Sequence, residues 1–403
     1  MKHTEFIVTE REEECKNVSF CCFRQEGGEM PAGAADCRDS ESVRISCRNQ
    51  AGLCDMIRIS ETYRDFSGKR RKHMIHIAIL GVGSIAEKMA QTLNGMEGKD
   101  KEFCCYGAAS RDRERAEAFA AKYGFEKAYG SYEEMAADQA VDLVYLATPH
   151  SHHYAHAKLC LENGKHVLCE KAFTVNAPQA RELFDMAEKR GLLLTEAIWT
   201  RYMPMREMID DVLASGIIGT PCTLTANLGY RIFEKERLIR PELAGGTLLD
   251  VGVYTLNFAL MAFGKDFEKI ESSVQMAETG VDAQESITLR YRDGRMAVLN
   301  ATMMGISDRR GVIYGDRGFL EVENINNPQS ITVYDGDYRE VKRIPCPPQV
   351  TGYEYEVESC LKAVREGRTE CPEMPHSETI YVMELMDELR RQWGLSYPCE
   401  EIS

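Results

Sequence analysis

A six-residue apolar run, "IHIAIL" at 75–80, stops directly on "GVGSIA". A strand that ends in a glycine turn and re-emerges as a helix constrains this chain more than any other feature. Gly81, Gly83 and Ala86 stand in a G-x-G-x-x-A spacing. The first glycine permits the tight turn and the second lets backbone approach a pyrophosphate. The small third residue allows close helix–strand packing. The helix start at Ser84 and Ile85 then offers unpaired N–H groups and the positive end of a dipole to phosphate oxygens.

Alone, such a turn is also an ordinary structural device. The downstream sequence gives it weight. "FCCYGAAS", "VDLVYLAT", "HVLCEKA" and "LLLTEAIWT" read as buried strands and alternate with helical stretches such as "RERAEAFAAKYG" and "APQARELFDMAEKRG". That alternation predicts an α/β fold, a doubly wound parallel Rossmann sheet over 74–198 with helices on both faces. Asn176, just ahead of an early proline, reads as a helix cap.

From about Trp199 the pattern changes. Alternating runs joined by "RDGR" and "YDGD", both Asp-Gly hairpin signals, predict a largely antiparallel open sheet. Residues 199–403 are therefore expected to form an α+β domain that binds substrate, with a late helix packing back on the first domain. A helix is expected over 245–264. The uncovered face of the open sheet would leave a large apolar surface, which predicts a homodimer. Residues 1–73 hold Cys15, Cys21, Cys22, Cys37, Cys47 and Cys54 without paired metal-ligand spacing and without helical or strand periodicity. They read as an irregular, poorly ordered extension.

Composition excludes several classes. A formal net charge of −15 argues against nucleic acid as a partner. No continuous apolar run approaches the roughly 20 residues that cross a bilayer, so no membrane is expected. The first residues lack an apolar signal core, which predicts a cytoplasmic location with thiols reduced.

The end of the second strand bears on the dinucleotide. An NAD site carries an acid there, whereas an arginine suits the 2′-phosphate of NADP. The chain reads "AASRDRER", placing Ser110 and Arg111 at the turn, so NADP is favoured. Asp112 could take the acid's role one place late, which keeps NAD open.

Glu170 and Lys171 stand at the carboxyl end of the fourth strand, where ligands lie in such sheets. On position alone Lys171 reads equally as a solvated loop lysine. Further on, "GGTLLDVGVY" puts Asp250 and Tyr254 four residues apart, on one face of an α-helix. Asp250 could also be a helix-start acid complementing the dipole.

These pieces occur together and in order: Gly81-x-Gly83, "ATPHSHH", "CEKAFTVNA", "EAIWTRYMP" and "GGTLLDVGVY". The combination resembles the Gfo/Idh/MocA oxidoreductase superfamily over residues 74–397, especially its branch of dimeric dihydrodiol dehydrogenases and NADP-dependent D-xylose dehydrogenases. The resemblance implies that Lys171 is the catalytic lysine, Asp250 the acid beside it and Tyr254 the proton-transferring residue. It also implies that Thr148 and Pro149 lie beside the nicotinamide ribose, with His153 and Glu170 near the cofactor. Trp199 and Arg201 would line the substrate pocket with Asp250 and Tyr254. The family's proline after the lysine is Ala172 here.

The activity so implied is hydride transfer between NADP and a hydroxyl carbon of a sugar or cyclic trans-diol. A cofactor-recycling glycosidase and a silent dinucleotide-binding regulator are the alternatives on the same scaffold. On this reading the Lys171 ammonium would lower the pKa of the Tyr254 phenol, making it a base near neutral pH. The histidines at 150, 152, 153 and 156 suggest metal, but they lack carboxylate or cysteine partners at fixed spacing, so no metal is expected.

Overall fold

The computed structural model describes residues 45–48, 54–57, 74–96 and 103–400. Two units result, 1–73 and 74–403. In the first, β1 (Ile45–Arg48) pairs antiparallel with β2 (Cys54–Ile57). This ladder lies within the stretch read as an irregular extension. A short pair carries too few residues for periodicity to register. The rest of that expectation lies outside the described residues.

The second unit opens with a parallel sheet. Its strands are β3 (Ile75–Leu80), β4 (Phe103–Ala109), β5 (Lys127–Tyr129), β6 (Leu143–Leu146), β7 (His166–Glu170) and β8 (Leu194–Ala197), in the spatial order β5-β4-β3-β6-β7-β8. All neighbours are parallel. This is the doubly wound order whose direction reverses between β3 and β6, where the strand ends leave a ligand crevice. β5 is absent from the sequence reading because three residues give no periodic signal.

The helices are α1 (Ser84–Met96), α2 (Arg113–Tyr123), α3 (Tyr132–Ala137), α4 (His150–Glu162) and α5 (Ala177–Arg190). Asn176 caps α5 by accepting the Gln179 N–H at 3.0 Å. Gly191, in the left-handed region, ends that helix.

After α6 (Met205–Ala214) come the long strand β9 (Pro221–Gly229), the single turn α7 (Glu236–Ile239) and α8 (Val253–Phe263). Strands β10 (Phe267–Met276), β11 (Asp282–Tyr291), β12 (Met296–Thr302), β13 (Gly311–Gly315), β14 (Gly318–Val322), β15 (Ser330–Asp335) and β16 (Glu340–Pro345) follow. With β9 they form one eight-stranded sheet, ordered β10-β11-β12-β9-β13-β14-β15-β16. Only the β9–β12 pairing is parallel. The inner face, with Leu224, Ala226, Leu228, Ile287 and Leu299, is buried under α8. Of the last helices, α9 (Glu354–Glu366) touches α1, and α10 (His376–Trp393) packs on α5. The expected late helix thus returns to the first sheet.

The structure bears on two of the expectations. The stretch Pro241–Phe263 is helical and apolar enough by composition to cross a membrane, yet it is buried in the core. Asp250 breaks its apolar run, so a continuous-run criterion passes over it. The open sheet face is also not broadly apolar. Alternation along β9–β12 places Thr225, Asn227, Gln284, Ser286, Thr288 and Asn300 outward. Apolar side chains gather at one end, where Phe319 stacks on Tyr334 at 4.7 Å and lies near Tyr314.

Candidate active site

The crevice between β3 and β6 is built for close backbone approach. Gly81 has φ +95°, and a Cβ there would lie 2.9 Å from the Ala147 carbonyl oxygen. No other residue fits. At Gly83 a Cβ would meet nothing within 4 Å, so the backbone opens onto free space. Ser84 is exposed and Ile85 half-buried at the start of α1, and Ala86 is fully buried. An open glycine followed by a helix N-terminus fits a pyrophosphate.

At the end of β4, Ser110 is buried and its Oγ accepts the Asp112 N–H at 3.2 Å. The Asp112 carboxylate accepts the Arg115 N–H at 3.3 Å and so caps α2. Arg111 is exposed, and its charge is felt by Tyr132, His152 and His156. The acid is thus committed to its own helix, and the cation is left facing outward. Those residues fit a 2′-phosphate.

The histidines after β6 have separate tasks. Thr148 Oγ1 lies 3.1 Å from His156 Nδ1, and Pro149 is the residue before α4. His153 is fully buried, with Nδ1 2.9 Å from the Ala172 oxygen and Nε2 2.7 Å from the Thr148 oxygen. Burial pushes its pKa down to about 4. The neutral ring has one N–H and donates to one carbonyl at a time. His153 lies between the Thr148 loop and the Ala172 loop, held by one carbonyl at a time, and its ring is fully buried. Among the described residues no three His, Cys, Asp or Glu side chains converge.

Glu170 also turns inward. It is buried, accepts the Tyr145 hydroxyl and takes the Lys171 N–H at 3.1 Å. Burial raises its pKa. Its carboxyl anchors the turn that presents Lys171. The Lys171–Ala172 peptide is cis.

Lys171 Nζ donates to the Asp250 backbone oxygen at 2.8 Å and to Asp250 Oδ1 at 3.2 Å. It also lies 5.0 Å from the centroid of the Tyr254 ring. The structure therefore brings the lysine, the acid and the phenol together. Their spacing is not that of one α-helical face, because Leu248–Gly252 is wound as a π-helix and α8 begins only at Val253. Such local widenings cluster at functional sites.

Arg237, on α7, completes the group, donating from Nη1 and Nη2 to Asp250 Oδ1, each at 3.2 Å. Burial disfavours the Asp250 carboxylate, but Lys171 and Arg237 overcome it and hold the carboxyl well below the usual range. Tyr254 goes the other way. Burial raises its pKa well above 10, and the Tyr353, Glu170 and Asp250 charges add to that. This corrects the expectation of a phenol made acidic by the lysine. The lysine's charge is already engaged by Asp250, so little of it is left to favour a phenolate.

Trp199 is buried, donates Nε1–H to Asn326 Oδ1 at 3.1 Å and stacks on Tyr353 at 4.1 Å. Arg201 is not brought into this group. Its guanidinium is buried, with Nε 2.5 Å from Asn257 Oδ1 and Nη2 3.2 Å from Glu378. A buried arginine must be paired, and these partners on α8 and α10 use it structurally.

Three residues here escape the sequence reading, Arg237, Tyr353 and Asn326, and His150 is weighed there only as a metal ligand. His150 is buried, its Nδ1 is 3.0 Å from the Ala244 oxygen, and it feels the Asp250 charge. Arg237, Tyr353 and Asn326 lie in stretches with no motif.

Comparison with known proteins agrees with this fold. The model of the oxidoreductase family with an NAD-binding Rossmann fold, GFO_IDH_MocA, matches residues 75–198. The GFO/IDH/MocA C-terminal domain model matches 205–321. A trans-1,2-dihydrobenzene-1,2-diol dehydrogenase of Xenopus tropicalis is 34% identical over 326 residues, covering 79% of this chain and 98% of the relative. A D-xylose 1-dehydrogenase (NADP(+)) of Hypocrea jecorina is 33% identical, covering 79% and 92%. The crystal structure of a 3-ketoreductase from Actinomadura kijaniata, in complex with TDP-benzene and NADP, is 25% identical. It superposes with a TM-score of 0.70, covering 78% of this chain and 96% of that one.

Proposed function

Since the chain belongs to the Gfo/Idh/MocA oxidoreductase family, we propose that it moves a hydride between NADP and a hydroxyl-bearing carbon of a sugar or cyclic trans-diol. The observation that carries this is Lys171 on Asp250, beside the Tyr254 ring, at the ligand-binding edge of a parallel sheet. The names of two relatives supply the substrate class: a cyclic diol and a pentose are both polyhydroxylated. Gly81, Gly83, Ser84 and Ile85 would hold the pyrophosphate and Arg111 the 2′-phosphate, with Ser110 shaping that turn. Thr148 and Pro149 would border the ribose.

Bound NADP supplies the hydride acceptor or donor. The chain handles the proton. Tyr254, neutral in the free protein, is ready to give a proton to a carbonyl oxygen in the reductive direction. In the oxidative direction it must first become a better acceptor, which favours alkaline pH. Lys171 donates hydrogen bonds and positions the reacting oxygen, while Asp250 and Arg237 fix the lysine. Trp199, stacked on Tyr353, would bound the pocket.

The test is a panel of pentoses, hexoses and diols with NADP and with NAD, followed by absorbance of the reduced nicotinamide. Net accumulation of NADPH is expected. Substrate cleavage without net reduction would support a glycosidase, and no turnover in either direction a regulator.

A reducing, cytoplasmic setting is proposed with this function, in keeping with the free thiols of the nine cysteines from Cys104 to Cys399. So is a homodimer through the open sheet face, where Tyr314, Phe319 and Tyr338 offer the aromatic anchors typical of interfaces. A monomeric mass by light scattering at micromolar concentration would overturn the dimer.

A further inference from the structure

The helical stretch that carries Asp250 and Tyr254 begins at Leu248 without a cap of its own. Thr247, just before it, makes no side-chain capping bond. The first N–H groups of a buried helix need acceptors. One comes from the neighbouring sheet: the Leu248 N–H donates to Asp282 Oδ2 at 2.6 Å. Asp282, the first residue of β11, is completely buried, and Glu285 on the same strand is also buried.

Asp282 Oδ1 and both Glu285 carboxyl oxygens meet no donor among the described residues, yet the two acids interact with each other. The motif glycines are cut to fit them. A Cβ at Gly246 would come 2.1 Å from Asp282 Oδ1, and one at Gly252 would come 2.1 Å from Glu285 Oε1. The acid pair thus fills the space that side chains at these two glycines would occupy. On the far side, Tyr397 donates its hydroxyl to the Gly245 oxygen at 2.8 Å.

We propose that Asp282 and Glu285 share one proton and act as positioning residues, capping the catalytic helix from the adjacent strand and setting the place of Asp250. Two adjacent buried carboxylates with no cation between them cannot both stay ionised. With Glu285 protonated, its O–H donates to Asp282, and the remaining charge on Asp282 faces the positive end of the helix. Burial raises both carboxyls, and the Asp282 charge raises Glu285 further. Two residues beyond Leu248, the Asp250 backbone oxygen receives Lys171 Nζ. Any slip of the helix start therefore moves the lysine's acceptor directly.

The inference rests on the proposed roles of Lys171 and Tyr254, so its test has a substrate-free arm. Glu285→Met removes the shared donor but keeps the volume, whereas Glu285→Gln replaces it with an amide N–H. In the Met variant kcat should fall about tenfold, with KM and NADPH affinity within about twofold of the parent. The Gln variant should keep kcat within about twofold. Exchange of the Leu248 amide, read without substrate, should quicken in the first variant only.

Parental kcat and exchange in the Met variant would overturn the proposal, as would a Gln variant equally impaired. If the Met variant does not fold, Glu285→Gln and Asp282→Asn decide. Each supplies the shared hydrogen from an amide and should stay active, and loss of activity in both would overturn the pair. A parent with no turnover on any sugar or diol would fail the functional reading instead, leaving amide exchange to judge the acid pair.

Discussion

Replacing Asp250 by asparagine keeps the shape of the site and removes one negative charge from its centre. Lys171 retains its 2.8 Å bond to the backbone oxygen of residue 250, so its amine stays in place. Asp250 Oδ1 lies 3.2 Å from Nζ, which in turn is 5.0 Å from the Tyr254 ring centroid, so the carboxylate oxygen is within about 8 Å of that ring. At an effective dielectric of about 20, unit charges so separated interact by about 2 kcal/mol, or about 1.5 pH units. Asp250 raises the phenol's pKa, so its loss must lower it.

The pH dependence of kcat/KM for polyol oxidation with NADP reads this out. The Asp250→Asn variant should show its alkaline limb moved down by about one to two pH units. Its maximal rate should also be lower, because Lys171 and Arg237 lose the negative charge they share. A limb that stays in place or moves up would show that Tyr254 is not the titrating group, and would refute the reasoning.

Tyr254→Phe should cost about a hundredfold or more in kcat with NADPH affinity unchanged by fluorescence titration, since only the proton path is removed. Arg111→Ala should weaken NADP by about tenfold and leave NAD within about threefold, measured as separate dissociation constants. Asp250 should also leave a mark on stability. Its carboxyl is held below the ordinary range, so its contribution is complete above about pH 4 and is lost as pH falls further. Urea midpoints from neutral to acid pH should therefore fall more steeply in the parent than in Asp250→Asn.

Much of the scaffold was legible because parallel strands and their helices write their burial into the sequence. "IHIAIL" followed by Gly81 and Gly83 already implies a strand, a phosphate turn and a helix, and the structure has all three. Asn176 likewise names its helix start. The three-residue β5 and the π-wound turn at Leu248 carried no such signature.

Within the site, Lys171 and Asp250 could be found by motif, but the state of Tyr254 could not. Spacing suggested a lysine acting on a phenol. Only the three-dimensional arrangement shows that lysine spent on Asp250. Arg201 misled for a related reason: a motif gives the residue type, while its partners Asn257 and Glu378 come from elements far along the chain. The open sheet face reads differently in three dimensions because threonine and serine fit strand periodicity as well as apolar residues do.

The central claim is that Lys171, Asp250 and Tyr254 face the nicotinamide and manage the proton. A crystal structure with NADP bound tests it most directly. The account predicts the pyrophosphate at Gly83 and Ser84, the 2′-phosphate on Arg111, and the nicotinamide ring against Lys171 and Tyr254. A dinucleotide held elsewhere, or one whose nicotinamide end leaves Lys171 and Tyr254 untouched, would contradict it.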